Sequence, residues 1–205
     1  MVQRAVVAGG RKVAILSVRP SSAPLAYVFW HWPSVAVAVP TYEANLLRFH
    51  SSLASRPPAG FVRSHTFGVR GAPWLPDHRQ SYEDWYLVRD WAALGDLNTG
   101  AVARGHTDSH DRVASQAEAG AGGLYGWRAG DDSPGALVAT WFAKPPGCSY
   151  AQLDSALRGV LDEGFSLWRR QMVLGPAPEF CLRGAVTPRL PESVHGQPVV
   201  CRVLR

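Results

Sequence analysis

Two stretches of this chain pass through the same succession of elements, and that repetition constrains the fold more than any other feature. The first runs from "YVFWHWP" (27–33) through "TYEANLLRFHSSLAS" (41–55) to "GFVRSHTFGVRGAPW" (60–74). The second runs from "ALVATWFAKP" (136–145) through "SYAQLDSALRGVL" (149–161) to "FSLWRRQMVLGPAPEF" (165–180). Each opens on an aromatic extended run ending in proline and continues in a helix that begins Thr/Ser-Tyr. Each then returns in an extended run that stops near a Gly- and Pro-containing turn. Tyr42 matches Tyr150 in this alignment.

The helices carry the clearest periodicity. From Tyr42, apolar residues recur at Leu46, Phe49 and Leu53, with Leu47 and Ala54 widening the stripe. Thr41 has the chemistry of an N-cap, Glu43 suits the first turn, and Pro57-Pro58 stops the helix. In the second copy Ser149 and Gln152 have capping-box spacing. Tyr150, Leu153, Leu157, Val160 and Leu161 form its stripe, and Gly164 ends it. Strands are expected over 25–32, 61–70, 84–91, 123–128, 136–144, 166–174, 179–186 and 198–204, all rich in aromatic and β-branched residues and bounded by Gly and Pro. A short helix near 91–98 and a longer one over 109–119, capped by Asp108 or Ser109, complete the first half.

The resulting order is βαββαβ and then βαββ with a final strand, because "TPRLPESVHGQ" is too interrupted by Pro and Gly to hold a helix. The expected fold class is therefore α+β: two ferredoxin-like halves, 25–130 and a truncated 131–205, with antiparallel sheets packed as a pseudo-dimeric barrel. Residues 1–24 hold Arg4, Arg11, Lys12 and Arg19 and no acid; they read as an N-terminal arm or an added edge strand, and "VAILSV" is short for a secretory leader.

This order resembles the dimeric α+β barrel superfamily, which includes antibiotic-biosynthesis monooxygenase-like, EthD-like and chlorite dismutase-like proteins. The resemblance is one of element order over about residues 25–204 and rests on no sharp motif. It implies an aromatic-lined interior that binds a small organic ligand, a homodimer, and cofactor-independent oxidation or a related proton-transfer reaction. Its chlorite dismutase branch implies haem as an alternative cofactor, although no haem motif is present.

Composition narrows the classes. The 205 residues are long enough for a sizeable core, and a net charge of +5 permits an anionic partner. The arginines are scattered, however, with no basic block for nucleic acid. Cys148, Cys181 and Cys201 are odd in number and widely spaced, which fits a reducing cytoplasm better than a disulfide framework. No apolar run approaches the roughly 20 residues a membrane helix needs.

Strand alternation places Tyr27, Phe29 and His31 on one face and Val28, Trp30 and Trp32 on the other. His31 is thus either an acid–base group in an aromatic pocket or a strand-end polar residue. In "FVRSHTFGV", Arg63 and His65 share a face with Phe61 and Phe67. Such a face lines a wet pocket or meets carboxylates, since burying those groups unpaired costs several kcal/mol. The candidate catalytic residues are His31 and His65. The candidate ligand-binding residues are Trp30, Arg63, Tyr86, Asp90, Trp141 and Arg170, with Asp84 on the face of Tyr86; the alternative is a structural ion-pair network. "GHTDSHD" gathers His106, Asp108 and His110 as metal candidates, against the reading that its acids serve a helix N-terminus. No phosphate loop, dinucleotide fingerprint or nucleophile elbow occurs. A second class stays open beside the enzyme: a non-catalytic binding or assembly protein with an aromatic core and interface.

Overall fold

The computed structural model describes residues 25–204 except 78, 104, 132–136 and 173–174. The expected arm over 1–24 lies outside the described residues, as do the ends, 136 and 173–174, of two expected strands. In chain order the elements are β1 (Leu25–Pro33), α1 (Val39–Ser55), β2 (Phe61–Arg70), β3 (Ser81–Val88), α2 (Trp91–Ala101), α3 (Thr107–Ala114) and β4 (Ala117–Gly130). Then follow β5 (Val138–Phe142), α4 (Tyr150–Ala156), α5 (Arg158–Asp162), β6 (Ser166–Arg170), β7 (Phe180–Gly184) and β8 (Gly196–Val203).

The strands close into one antiparallel barrel in the order β1-β3-β2-β8-β5-β7-β6-β4. Strands β1–β4 lie as fourth-first-third-second, and strands β5–β8 lie in that order again. The two sets join where β2 meets β8 and β4 meets β6. Closure leaves no unpaired sheet edge among these strands.

Alternation sends one side chain set into the barrel and the other toward the helices. Inside, Trp30, Trp85, Trp141 and Trp168 are fully buried with Tyr125 and Phe67. Glu83 sits among them and accepts the indole N–H groups of Trp30 (2.8 Å) and Trp85 (2.6 Å). Burial pushes its carboxyl up, and the Trp85 bond, Arg183 and the Trp30 bond pull the other way. Arg183 lies over the rings of Trp85 and Phe67, at 4.4 and 4.9 Å. Outside, α1, α2 and α3 cover the first half and α4 and α5 the second.

Several local expectations shift. Helix α1 starts at Val39 after Ala38, not after Thr41, because Pro40 presets a first-turn φ and needs no donor there. Glu43 therefore lies past the first turn and accepts from Tyr82 at 3.1 Å. Asn45 and His50, not Ala54, complete the buried stripe. Strand β3 ends at Val88 because Asp90 caps α2, taking the Ala93 N–H at 2.9 Å. The helix expected over 109–119 is α3, which stops at Ala114, and β4 begins at Ala117. Residues 117–126 pair with β1 along its whole length. The glycines allow this: a Cβ on Gly120 would lie 2.4 Å from the Phe29 ring, and one on Gly122 2.6 Å from Tyr27 Oη. The aromatic side chains of β1 thus lie over bare backbone in β4. In the second half the Ser149–Gln152 capping box forms, Tyr150 is exposed, and the stripe is Leu153, Leu157 and Val160.

Candidate functional site

The face of β1 that carries Tyr27, Phe29 and His31 looks toward the helices, and so does the face of β3 that carries Tyr82, Asp84 and Tyr86. Register sets these side by side: Tyr27 opposite Tyr86, Phe29 opposite Asp84 and His31 opposite Tyr82. A carboxylate thereby sits on a sheet face otherwise made of rings. Asp84 is 1% exposed. Such a charge is tolerated only if it is hydrogen-bonded.

Three side chains converge on its Oδ2. His31 Nε2 lies at 3.1 Å, His50 Nε2 at 3.3 Å, and Tyr86 Oη donates at 2.9 Å. His50 comes from α1, which also delivers Tyr42, whose Oη lies 2.6 Å from His31 Nδ1. His50 Nδ1 lies 2.7 Å from Ser64 Oγ on β2. Oδ1 of Asp84 is buried and meets no hydrogen-bond partner among the described residues. The rings are held by stacking: His31 between Phe29 and Tyr82 at 5.2 and 5.5 Å, and His50 on Tyr86 at 5.1 Å. Burial pushes the Asp84 carboxyl up, but the two facing imidazoles outweigh it and hold the group well below the usual carboxylate range. Burial, then the Asp84 charge, pushes the hydroxyls of Tyr42 and Tyr86 up, so both remain donors at neutral pH.

This cluster forms part of the floor of a cavity of about 890 Å³ between the outer face of β1, β3 and β4 and helices α1, α2 and α3. Phe49 and Leu46 line it from α1, Trp91, Leu94 and Leu97 from α2, and His110 and Val113 from α3. The volume and the mostly apolar lining with a few convergent polar groups suit a small organic molecule.

Of the residues singled out in the sequence, His31, Tyr86 and His110 line this cavity, together with Asp84. The others lie elsewhere. Trp30 and Trp141 point into the barrel, with ring centroids 5.3 Å apart, on the opposite side of the sheet. His65 shares their interior face with Phe67, and Arg63 Nε donates to His65 Nε2 at 3.1 Å. Asp90 is the α2 cap. Arg170 donates to the carbonyl of Ala177 at 2.7 Å and so braces the turn before β7. His106 is buried between Ser52 Oγ (2.5 Å) and the Arg56 carbonyl (3.1 Å), and Asp108 sits in the first turn of α3, while His110, at the cavity, pairs with Asp111 at 2.9 Å. Neither Asp108 nor Ser109 caps that helix. Among the described residues no group of three or more His, Cys, Asp or Glu side chains is arranged to hold a metal ion. Sequence reasoning missed His50, Tyr42 and Ser64. The available signal was His50 itself, a titratable residue four positions after Leu46 on the buried stripe of α1.

The closed barrel of two fourth-first-third-second sheets is a fold this chain shares with solved structures. Among solved structures the chain is similar to a candidate monooxygenase from Fusobacterium nucleatum, at 8% identity and a TM-score of 0.60, covering 91% of this chain and 94% of that one. It is similar to another from Lactobacillus acidophilus, at 9% identity and a TM-score of 0.55, covering 89% and 100%. A mutant of SnoaB, a cofactor-independent oxygenase from Streptomyces nogalater, aligns over 49% of this chain and 88% of its own at 19% identity, with a TM-score of 0.37. No family model matches the chain, and no curated protein does.

Proposed function

We propose that the protein binds a planar organic molecule in the cavity roofed by α1, α2 and α3 and acts on it by proton transfer, as a cofactor-independent, monooxygenase-like enzyme. The observation that carries this is the buried Asp84 carboxylate, which holds His31 and Tyr86 in fixed positions at an aromatic-lined cavity, with His50 behind it. Ordered acid–base groups within reach of a bound substrate are what general acid–base catalysis requires. The fold shared with candidate monooxygenases supports the oxidative reading.

In this reading the substrate carries an acidic O–H or C–H beside its ring system. Its proton goes to the Tyr42–His31 pair, and His31, steadied by Asp84, carries the charge. The deprotonated substrate is the reductant and dioxygen the oxidant: a CH₂ centre and O₂ give a carbonyl and water, with no other electron source. Three free thiols fit a reducing, intracellular setting.

The test is oxygen uptake and product mass with a panel of hydroxylated polycyclic aromatics, on the wild type and on His31→Phe. Native mass spectrometry of fresh protein, with an absorption spectrum of the same sample, would identify any ligand that copurifies. Uptake should fall by about 10²–10⁴ in His31→Phe if His31 is the acid–base group. Equal uptake in both, with equal ligand affinity, would falsify the assignment. A Soret band would move the reading to haem.

A further inference from the structure

The hydrogen bonds around Asp84 extend past the cavity. On one arm, Tyr42 Oη lies 2.6 Å from His31 Nδ1, and His31 Nε2 lies 3.1 Å from Asp84 Oδ2. On the other, the same Oδ2 lies 3.3 Å from His50 Nε2, and His50 Nδ1 lies 2.7 Å from Ser64 Oγ. The first arm lines the cavity; His50 and Ser64 do not. They lie behind the carboxylate, between α1 and β2, and Ser64 is half-buried. Two imidazoles on one carboxylate exceed what orienting a single acid–base group requires.

From these distances we propose that His50 and Ser64 are the outer arm of a proton relay, Tyr42–His31–Asp84–His50–Ser64, which connects the cavity to solvent on the α1/β2 side. It rests on the functional reading above and deepens it. A proton entering at Tyr42 Oη displaces the tyrosine's own proton onto His31 Nδ1. The His31 Nε2 proton passes by way of Asp84 Oδ2 to His50 Nε2. The His50 Nδ1 proton goes to Ser64 Oγ, whose own proton leaves to water. One proton enters as one leaves, and the cluster keeps its count. The proton thereby leaves without water entering the cavity, where it would compete with the ligand; both imidazoles end with their protons on the opposite nitrogens and regain their first tautomers when a proton next passes inward along the same path. His50 acts through Asp84 and is a positioning residue that also conducts. The groups facing it are Asp84, Tyr86 and Ser64, with His65 close enough to interact electrostatically.

A photoacid tests this directly. 2-Naphthol is the probe; light makes its hydroxyl strongly acidic, and the yield of naphtholate emission reports how often the released proton escapes return. His50→Gln keeps an N–H donor near Oδ2 but cannot pass a proton through. Naphtholate yield in His50→Gln should fall on the order of tenfold, less than for a direct acid–base group because His50 stands one step away. Naphthol affinity should stay within about twofold, the scale of a change that leaves the cavity wall in place. Ser64→Ala, which leaves every contact of Asp84 intact, should show the same loss on a smaller scale. Wild-type yield and solvent isotope effect in both variants would overturn the relay while leaving the cavity reading intact. Absence of naphthol binding to the wild type would overturn the cavity reading. In that case ligand-free ¹⁵N-histidine spectra decide the relay: His31 ring signals that titrate identically with and without His50 sink it, and altered titration supports it.

Discussion

Strands β1 and β3 hold the same places in one half of the barrel as β5 and β7 in the other, yet the two outer faces have opposite characters. Trp30 and Trp141 anchor the comparison, since both point inward and meet edge-on at 5.3 Å. Counting from them along the paired registers sets Phe142 in the place of His31, Phe180 in that of Tyr82, and Leu182 in that of Asp84. The second half has no titratable group at any of these three places. Its face is filled by the stacked pair Phe142–Phe180, by Phe165, and by Leu153, Leu157 and Val160 from α4 and α5. The roofs differ too. The first half carries α2 and α3 after its third strand, whereas residues 185–195 of the second form no helix and bring Leu190 and Val194 down onto the sheet. A cavity with a charged floor thus goes with the taller roof, and an apolar floor with the collapsed one. One half is a packed scaffold, and the other holds its sheet open.

The comparison breaks most visibly at Asp84. Replacing it by Ala strands His31, His50 and Tyr86 without their acceptor, and should cost about 3–5 kcal/mol in urea unfolding at neutral pH. Installing the second half's residues together, His31→Phe with Asp84→Leu, should recover part of that loss, because apolar packing replaces one stranded imidazole while His50 and Tyr86 still lack their acceptor. Binding in the cavity should not return with stability. A cost below about 1 kcal/mol for the single change would mean that solvent, not the imidazoles, satisfies the carboxylate.

Leucine truncations sharpen the contrast. Leu157 is fully buried under the second half, so Leu157→Ala should cost about 2–5 kcal/mol. Leu94 already faces the cavity and is only partly buried, so Leu94→Ala should cost about 1 kcal/mol or less. Equal losses in thermal or urea unfolding would show that the cavity is collapsed in solution.

Much of this frame could be read from the sequence, and the reasons differ between residues. Alternation in "YVFWHWP" assigned Tyr27, Phe29 and His31 to one face, because side-chain direction in a strand depends on parity alone. Which face meets helices and which fills a barrel depends on closure, a long-range event, and so Trp30 and Trp141 were expected at a ligand and found in the core. Arg63, Asp90 and Arg170 find their partners only in the folded chain: Arg63 bonds His65, Asp90 caps α2, and Arg170 braces the turn before β7. His50 was passed over because it lies within a stripe of Leu and Phe, where a polar residue shows its purpose only once its partner, Asp84 of β3, is in view. Gly120 and Gly122 fell between the helix expected over 109–119 and the strand expected over 123–128. Only their pairing with β1 explains them.

That pairing gives a third, smaller effect. Gly120 faces His31 across the β4–β1 ladder, and a Cβ there would lie 2.9 Å from the Trp30 carbonyl as well as against the Phe29 ring. Gly120→Val should therefore cost about 1–3 kcal/mol by overpacking and tilt Phe29 into the cavity. Dye or naphthol affinity should drop with it, whereas a purely local strain would lower stability and leave affinity unchanged.

The smallest effect lies where the halves meet. His65 on β2 faces the barrel interior, and burial, then repulsion from Arg183 of the second half and from Arg63 and His50, lowers it to about 4. In the unfolded chain the same imidazole titrates near its free value of about 6.5. Between these values the unfolded state binds more protons than the folded one, so stability must fall as pH drops from about 6.5 to about 4. Asp84 also has a depressed folded value, but its ordinary carboxylate range begins near pH 4, so its contribution is lost only below that. The acid limb of a stability–pH curve should thus have two parts. His65→Gln should flatten the upper part and leave the lower part in place. An unchanged slope above pH 4 would show that His65 reaches solvent and that the cations of the two halves do not meet at this end of the barrel.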